Sequence, residues 1–359
     1  MVASTSYDHN EAEERVIKSI SNRTITVDQN FVYDHYSGVE NYGSDTLEMR
    51  AEVGLLTRNI VMMGDDTSVA TDYGSHLMLT GSAENGLVGK IAYTEFTKCG
   101  QPQILGRYCH HFHMAGDVPE SYSIGNSVHH AMARVLTIHG VHFLYVAWNV
   151  GYRVKGHNFF VEDGIETNNV IEYNLAISTL LVNNMLQTDM SVASFWVTNP
   201  TNHLRYNHAA GSDFYGIWYE IKAHPDRPSA TEDVCPIGNP LGESHDNVAH
   251  SNVRFGLRIF QLYSRQKPCD PIRNDQLVDP WSDNPSIQST FYNYVLWKNG
   301  EAGLLAEETG NMIFENFTIA ESKLAGMEFY KTNFTKEHVI ARNIAIIGRS
   351  YGNPPNSDS

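Results

Sequence analysis

The chain has 359 residues, 42% of them hydrophobic, and sets 41 acidic side chains against 25 lysines and arginines for a net charge of −16. That content supports a large core, and the acid excess excludes a nucleic-acid partner, since phosphate binding needs clustered cations. No stretch approaches 18 uninterrupted apolar residues, which excludes a helical membrane span, and the polar run Met1 to Glu13 lacks the apolar centre of a secretory leader.

From the N-terminus, residues 1–57 read as a β-rich cap. Arg23 to Val27 and Glu52 to Leu56 alternate like strands around a polar loop at Asn41 to Asp45. A solenoid needs such cover, because a bare terminal coil presents an unpaired strand edge. Residues 58–350 then read as a right-handed parallel β-helix, starting with Ile60 to Met63, Ser75 to Leu79 and Gly89 to Thr94. Asparagines recur at 126, 149, 174, 207, 247, 293, 316 and 343, with spacings of 23, 25, 33, 40, 46, 23 and 27 residues, a base period in the low twenties broken by three insertions. Gly156, Gly216, Gly256, Gly303 and Gly326 each precede a short apolar run. One coil of this length cannot bury its own apolar face, but stacking it roughly 4.8 Å above another pairs every strand and continues the core. Asparagine suits the corners because it tolerates left-handed backbone and its amide can bond an equivalent amide one rung away. Ordinary turns of an antiparallel barrel or sandwich use the same residues and remain the alternative reading.

The cysteines fall into two pairs, Cys99 with Cys109 and Cys235 with Cys269, which could each close a local loop in an oxidising compartment. Sequons at Asn22, Asn316 and Asn333 are compatible with glycosylation. The excursions from Lys222 to Asp246 and from Gln266 to Asn284, rich in Pro, Asp and Ser, belong on the surface as loops from one side, and the polar tail 351–359 is expected to be disordered.

Histidine is dense between His110 and His157. Aligning Ile138-His139-Gly140 with Glu162-Asp163-Gly164 gives an offset of 24 residues, which sets His139 directly beneath Asp163, and one rung back lies His113. A column of His113, His139 and Asp163 flanked by Glu162 and Glu166 has three readings. It can bind a divalent metal through His113, His139 and Asp163, although calcium prefers oxygen ligands. It can supply general acid and base groups, His113, His139, Glu162 and Asp163, to a glycosidic bond. It can also simply hydrogen-bond along the stack. Arg107, Tyr108 and Arg134 near these rungs could clamp an anionic sugar, and Trp196 and Trp218 could offer stacking faces, roles that structural ion pairing and core packing compete with.

Five ordered segments resemble a known family: Gly106-Arg107-Tyr108 running into His111 to Asp117, Thr137-Ile138-His139, Phe160 to Glu166, Phe195 to Pro200, and Ala209 to Ser212 before Gly216 to Tyr219. Together they are similar, over residues 50 to 345, to the β-helix of the fibrocystin-L group, which also includes a cell-migration-inducing hyaluronan-binding protein and a transmembrane cell-surface hyaluronidase. His224 to Ser229, Cys235 and Cys269 look closer to fibrocystin-L, and Ala51 to Asn59 is similar to the end of the eight-glycine domain preceding the helix. The resemblance implies an extracellular or cell-surface module, in some relatives ciliary, that binds a glycan or a protein in a structural or receptor-like role. It also implies the alternative of a calcium-dependent hydrolase acting on hyaluronan. Most of the eight-glycine domain is missing from the sequence, which would deprive that activity of part of its site. Cys109 stands where relatives tend to carry proline, which suggests a bridge to Cys99 peculiar to this chain.

Overall fold

Alternation decides which side of each strand faces the core: in His110–Asp117 the side chains of His110 and Phe112 point inward, while His111 and His113 share the opposite face. The computed structural model describes residues 1–81, 86–182, 190–270 and 283–350, with backbone alone at 272–273 and 276–277. The tail 351–359 and residues 271, 274–275 and 278–282 of the second long loop therefore lie outside the described residues.

The chain is all-β, and its successive coils stack as parallel strands. One face is a nine-stranded sheet formed, in chain order, by β1 (Leu77–Thr80), β2 (His110–Asp117), β3 (Leu136–His142), β4 (Phe159–Val161), β5 (Ala193–Val197), β6 (Tyr215–Glu220), β7 (Phe255–Leu262), β8 (Ala302–Thr309) and β9 (Ala325–Tyr330). Every neighbouring pair is parallel. The remaining two strands of each coil merge into a seventeen-stranded sheet that turns a corner. The stacked coils agree with a β-helix and dispose of the barrel and sandwich alternatives, because antiparallel pairing among the described residues is confined to three small hairpins and isolated bridges outside the stack.

Apolar side chains that are level in register stack through the interior. Leu136, Phe159, Phe195, Ile217, Leu257 and Leu304 form one such column, at most 1% exposed, and the Phe159 and Phe195 rings lie 4.9 Å apart, nearly parallel. Burying side chains of this size contributes roughly 1.5–3 kcal/mol each relative to exposure.

The asparagine series divides into two columns. Asn126, Asn149, Asn174, Asn207 and Asn247 form a buried ladder in which each backbone N–H donates to the next side-chain oxygen at 2.9–3.0 Å. At the next rung Tyr294 takes the ladder position, its hydroxyl accepting from Asn247 Nδ2 at 3.0 Å. Asn293, Asn316 and Asn343 instead sit one residue earlier, at corners with φ of 58, 57 and 54°, level with Trp148, Tyr173, Tyr206 and Asp246, which share that left-handed conformation. The side-chain amide serves the interior in the first set and relieves backbone strain in the second.

Residues 1–57 lie along the flank of the coil, where the sequence had suggested a cover over the first rung. Met1, Ala3, Ala12 and Leu56 pack on Tyr152, Ile177 and Ala210, while Leu47 and Met49 pack on Trp297 and Ala320. Ser178 donates to the His9 carbonyl at 2.7 Å, and Glu52 receives His208 at 2.6 Å and His250 at 2.9 Å. Apolar side chains spaced to meet a flank read the same, in sequence, as those that would meet an end. Cys99 bonds to Cys109 and Cys235 to Cys269, the second bridge tying together the loops that follow β6 and β7.

Candidate functional site

The outer face of the nine-stranded sheet carries two adjacent columns of functional side chains. Register runs one through His111, Thr137, Phe160, Trp196, Trp218 and Arg258. The other begins with His113 opposite His139. From β3 to β4 the offset is 23 residues, through Ile138 opposite Val161, so the expected offset of 24 is corrected by one and His139 stands level with Glu162. Asp163 still reaches it from the following position.

His139 is the hub. Its Nε2–H donates to Asp163 Oδ2 at 2.7 Å, and its Nδ1 faces His113 Nδ1 at 3.1 Å and Glu162 Oε2 at 3.6 Å. In the neutral ring with Nε2 protonated, Nδ1 accepts from His113; in the protonated ring, which the acidic neighbours favour, Nδ1–H donates to His113 instead. His111, which sequence reasoning passed over, completes the group: its ring lies parallel to His139 at 5.7 Å and against His113 at 4.9 Å. His111 Nδ1–H donates to the Gly106 carbonyl at 2.8 Å, and its Nε2 is buried without a partner. Nitrogens of the three rings lie within 4.8 Å of one another.

Carboxylates close the site from below. Asp163 is fully buried and Glu162 is 6% exposed, and Oδ1 of the first and Oε2 of the second have no hydrogen-bond partner. Glu162 Oε1 meets Arg227 Nη1 at 2.8 Å and Arg134 Nη1 at 3.4 Å. Arg227 stands on the exposed rim, in the first long loop, which docks through the Asp226 N–H to the Asp163 carbonyl at 2.9 Å. Nothing periodic announced Arg227, 65 residues beyond Glu162. Glu166 accepts from the backbone N–H of Gly140, Asp163 and Gly164 at 2.8–3.1 Å and so clamps two rungs together.

These surroundings set the protonation states. Burial holds His111 down at about 3 and lowers His113, with the neighbouring His139 adding to both. Burial also opposes charge on His139, but the Asp163 hydrogen bond and the Glu162 charge outweigh it and raise its pKa. Burial pushes the Glu166 carboxyl up to about 7 against its backbone donors.

The other expected residues divide. Arg134 is fully buried, stacked 3.8 Å from the Phe160 ring centre and 4.6 Å from Tyr108, whose hydroxyl accepts its Nη1–H at 3.0 Å. It holds Glu162 from within. Arg107 turns away, donating to Tyr73 and Gln101. Trp196 and Trp218 lie on the site's face but are 5% and 8% exposed, packed on each other at 4.4 Å and flanked by Phe160 and Arg258. One stack of exposed aromatics stands at a corner of the seventeen-stranded sheet, where Trp148, Tyr173 and Tyr206 lie nearly parallel and Tyr173 has a ring on each face. Asn22, Asn316 and Asn333 are all exposed.

The family model described as CEMIP beta-helix matches residues 72–257. Fibrocystin-L of Mus musculus is 34% identical over 85% of this chain and 8% of its own length. Human cell surface hyaluronidase CEMIP2 is 30% identical over 92% of this chain and 27% of its own. The human cell migration-inducing and hyaluronan-binding protein is 33% identical over 72% and 22%. This chain thus spans less than a third of each of these relatives, and the shared region takes in every residue of the histidine and carboxylate cluster from His111 to Arg227. The chain belongs to the CEMIP β-helix family.

Proposed function

We propose that the chain is an extracellular or cell-surface module of right-handed β-helix form, with a structural or receptor-like role, that binds a glycan of the hyaluronan type. The observation that carries the reading is the juxtaposition of a half-buried His113 and a rim cation, Arg227, over a buried Glu162, on one outer face of the sheet. A rim arginine aimed inward can exchange part of its pairing for the carboxylate of an acidic sugar, and His113 can meet a hydroxyl. The names of two relatives, one hyaluronan-binding and one a cell surface hyaluronidase, support that ligand class. The name of one relative, a cell surface hyaluronidase, supports a surface location, which we extend to ciliary surfaces, and the two disulfides suit an oxidising one. A protein ligand is the other outcome of the same recognition role.

A second reading is glycoside hydrolysis with calcium as cofactor. It is favoured by the His139–Asp163 pair beside the unpartnered Glu162 oxygen, an imidazole and carboxylates arranged for proton transfer to a leaving oxygen. High-molecular-weight hyaluronan, incubated with the protein with and without calcium and sized on a gel, tests both. Retention of the polymer by immobilised protein without shortening supports the binding module. Shortening that requires calcium supports the hydrolase, and neither retention nor shortening removes hyaluronan as the ligand.

A further inference from the structure

We propose that His111, His113 and His139 form a binding site for a divalent first-row transition metal of the zinc class, a nitrogen site distinct from any calcium site. The cluster has the features that separate a ligand set from an incidental group of histidines. In a metal centre each imidazole directs one nitrogen at the ion, and the other donates to an oxygen that fixes the tautomer. His111 and His139 are built this way: Nδ1–H of the first donates to the Gly106 carbonyl at 2.8 Å, and Nε2–H of the second to Asp163 Oδ2 at 2.7 Å. The nitrogen left over in each neutral ring is a lone pair. On His111, which is 1% exposed, that nitrogen is buried with no partner at all, a cost that native interiors rarely carry without a reason.

The separations suit the same conclusion. His113 Nδ1 and His139 Nδ1 are 3.1 Å apart, joined without a metal by one shared proton; release of that proton on metal binding leaves two lone pairs close to the roughly 3.3 Å between two ligands of a tetrahedral ion at zinc–nitrogen distances. His111 lies within 4.8 Å of both, and His113, the most exposed of the three, has the room to close the set. Glu162 Oε2, buried, unpartnered and 3.6 Å from His139 Nδ1, is available beside the ion as a further oxygen ligand. Asp163 does not share the ligand role expected from the sequence, since its Oδ2 is behind the ring. It is a positioning residue that holds His139 in the ligating tautomer. Three imidazoles select zinc, cobalt, nickel or copper over calcium, whose coordination is built from six to eight oxygens. The inference goes beyond glycan recognition and is tested without a glycan.

The test uses the untagged full chain, stripped with chelator and titrated with cobalt(II), followed by visible absorption and by mass-spectrometric metal analysis after gel filtration. The expected result is retention of about one cobalt per chain with a ligand-field band near 550–650 nm, of the intensity of a four- or five-coordinate ion, displaced by zinc but not by calcium. His113→Ala, at the half-exposed position, should abolish retention while the circular dichroism spectrum stays unchanged. Asp163→Asn should weaken binding by roughly 10–100-fold, as loss of an orienting carboxylate does, and His338→Ala, at an exposed site outside the cluster, should leave it intact. No retained cobalt, retention unaffected by His113→Ala, or displacement by calcium would each overturn the assignment.

Discussion

Asn174 is the middle of the buried ladder, and Asn174→Ala isolates what the ladder contributes. Its Oδ1 accepts from the Asn149 backbone N–H at 3.0 Å and from Asn149 Nδ2 at 2.9 Å, and its own Nδ2 donates to the carbonyls of Val146 and Glu172 at 3.1 and 3.0 Å. Truncation leaves two N–H bonds of Asn149 unmade, the backbone one and one of the two on Nδ2, whose other hydrogen keeps the Ser123 carbonyl at 2.9 Å, in a site where Asn174 is only 1% exposed. Each stranded buried donor costs about 1–3 kcal/mol, and the two carbonyls lose one of several possible partners, so the expected destabilisation is roughly 4 kcal/mol. That is a large share of the roughly 5–15 kcal/mol by which domains are stable. Guanidinium unfolding followed by tryptophan fluorescence reads it as a midpoint shift at unchanged slope. Asn316→Gly is the matched control: it sits at the left-handed corner with its amide exposed, glycine accepts φ of 57° without strain, and the change should stay within about 0.5 kcal/mol. Equal effects of the two substitutions, or an Asn174→Ala shift below about 1 kcal/mol, would show that the amides do not stack through the interior.

Arg134→Met should cost roughly 3–5 kcal/mol, because it removes the buried cation from Glu162 while nearly preserving volume; a thermal midpoint equal to the parent's would contradict the role given to Arg134. Replacing both Cys235 and Cys269 by serine frees a closed segment of 34 residues, for about 3–4 kcal/mol on loop entropy, and limited proteolysis should then cut within the two joined loops first. Low pH should loosen the flank segment through Glu13. Burial raises this carboxyl, but the backbone donors Tyr33 and Val32, with His35 and Arg15, outweigh it and hold it at about 2 instead of 4.5. A depressed folded-state pKa stabilises above the unfolded value and loses that contribution as pH falls from about 4.5 to about 2. Hydrogen exchange at Val32 and Tyr33 should accelerate in that window, and Glu13→Gln should show the faster exchange already at pH 7.

The coil itself was legible because its requirement repeats. Every rung repeats an apolar strand and the signals beside it: Gly156 turns with a left-handed backbone, while Gly216 and Gly256 lie within strands where an added Cβ would meet the carbonyl of the next coil, at Gly256 and Gly303. What misled was identity without register: Asn293 looks like a continuation of Asn247, yet Tyr294 supplies the polar group that the ladder needs, so the asparagine moves to the corner. The cluster around His139 was half readable. Period-two alternation in His110-His111-Phe112-His113 places His111 on the same face as His113, a signal present in the sequence alone. Arg227 had no such signal, since a loop residue reaches Glu162 through tertiary docking alone. Arg107 and the two tryptophans show the converse: proximity in sequence and aromatic character point to a sugar site, while side-chain direction and burial assign Arg107 to Tyr73 and Gln101, and Trp196 and Trp218 to packing.

Diffraction from crystals grown with zinc, recorded on both sides of the zinc absorption edge, examines the stacking register and the cluster it builds at once. An anomalous peak about 2.0–2.1 Å from ring nitrogens of His111, His113 and His139, with Asp163 bonded to the far side of the His139 ring, is the expected result. A zinc ion held elsewhere, or His111, His113 and His139 found on separate faces of the coil, would contradict the register from which the site is built.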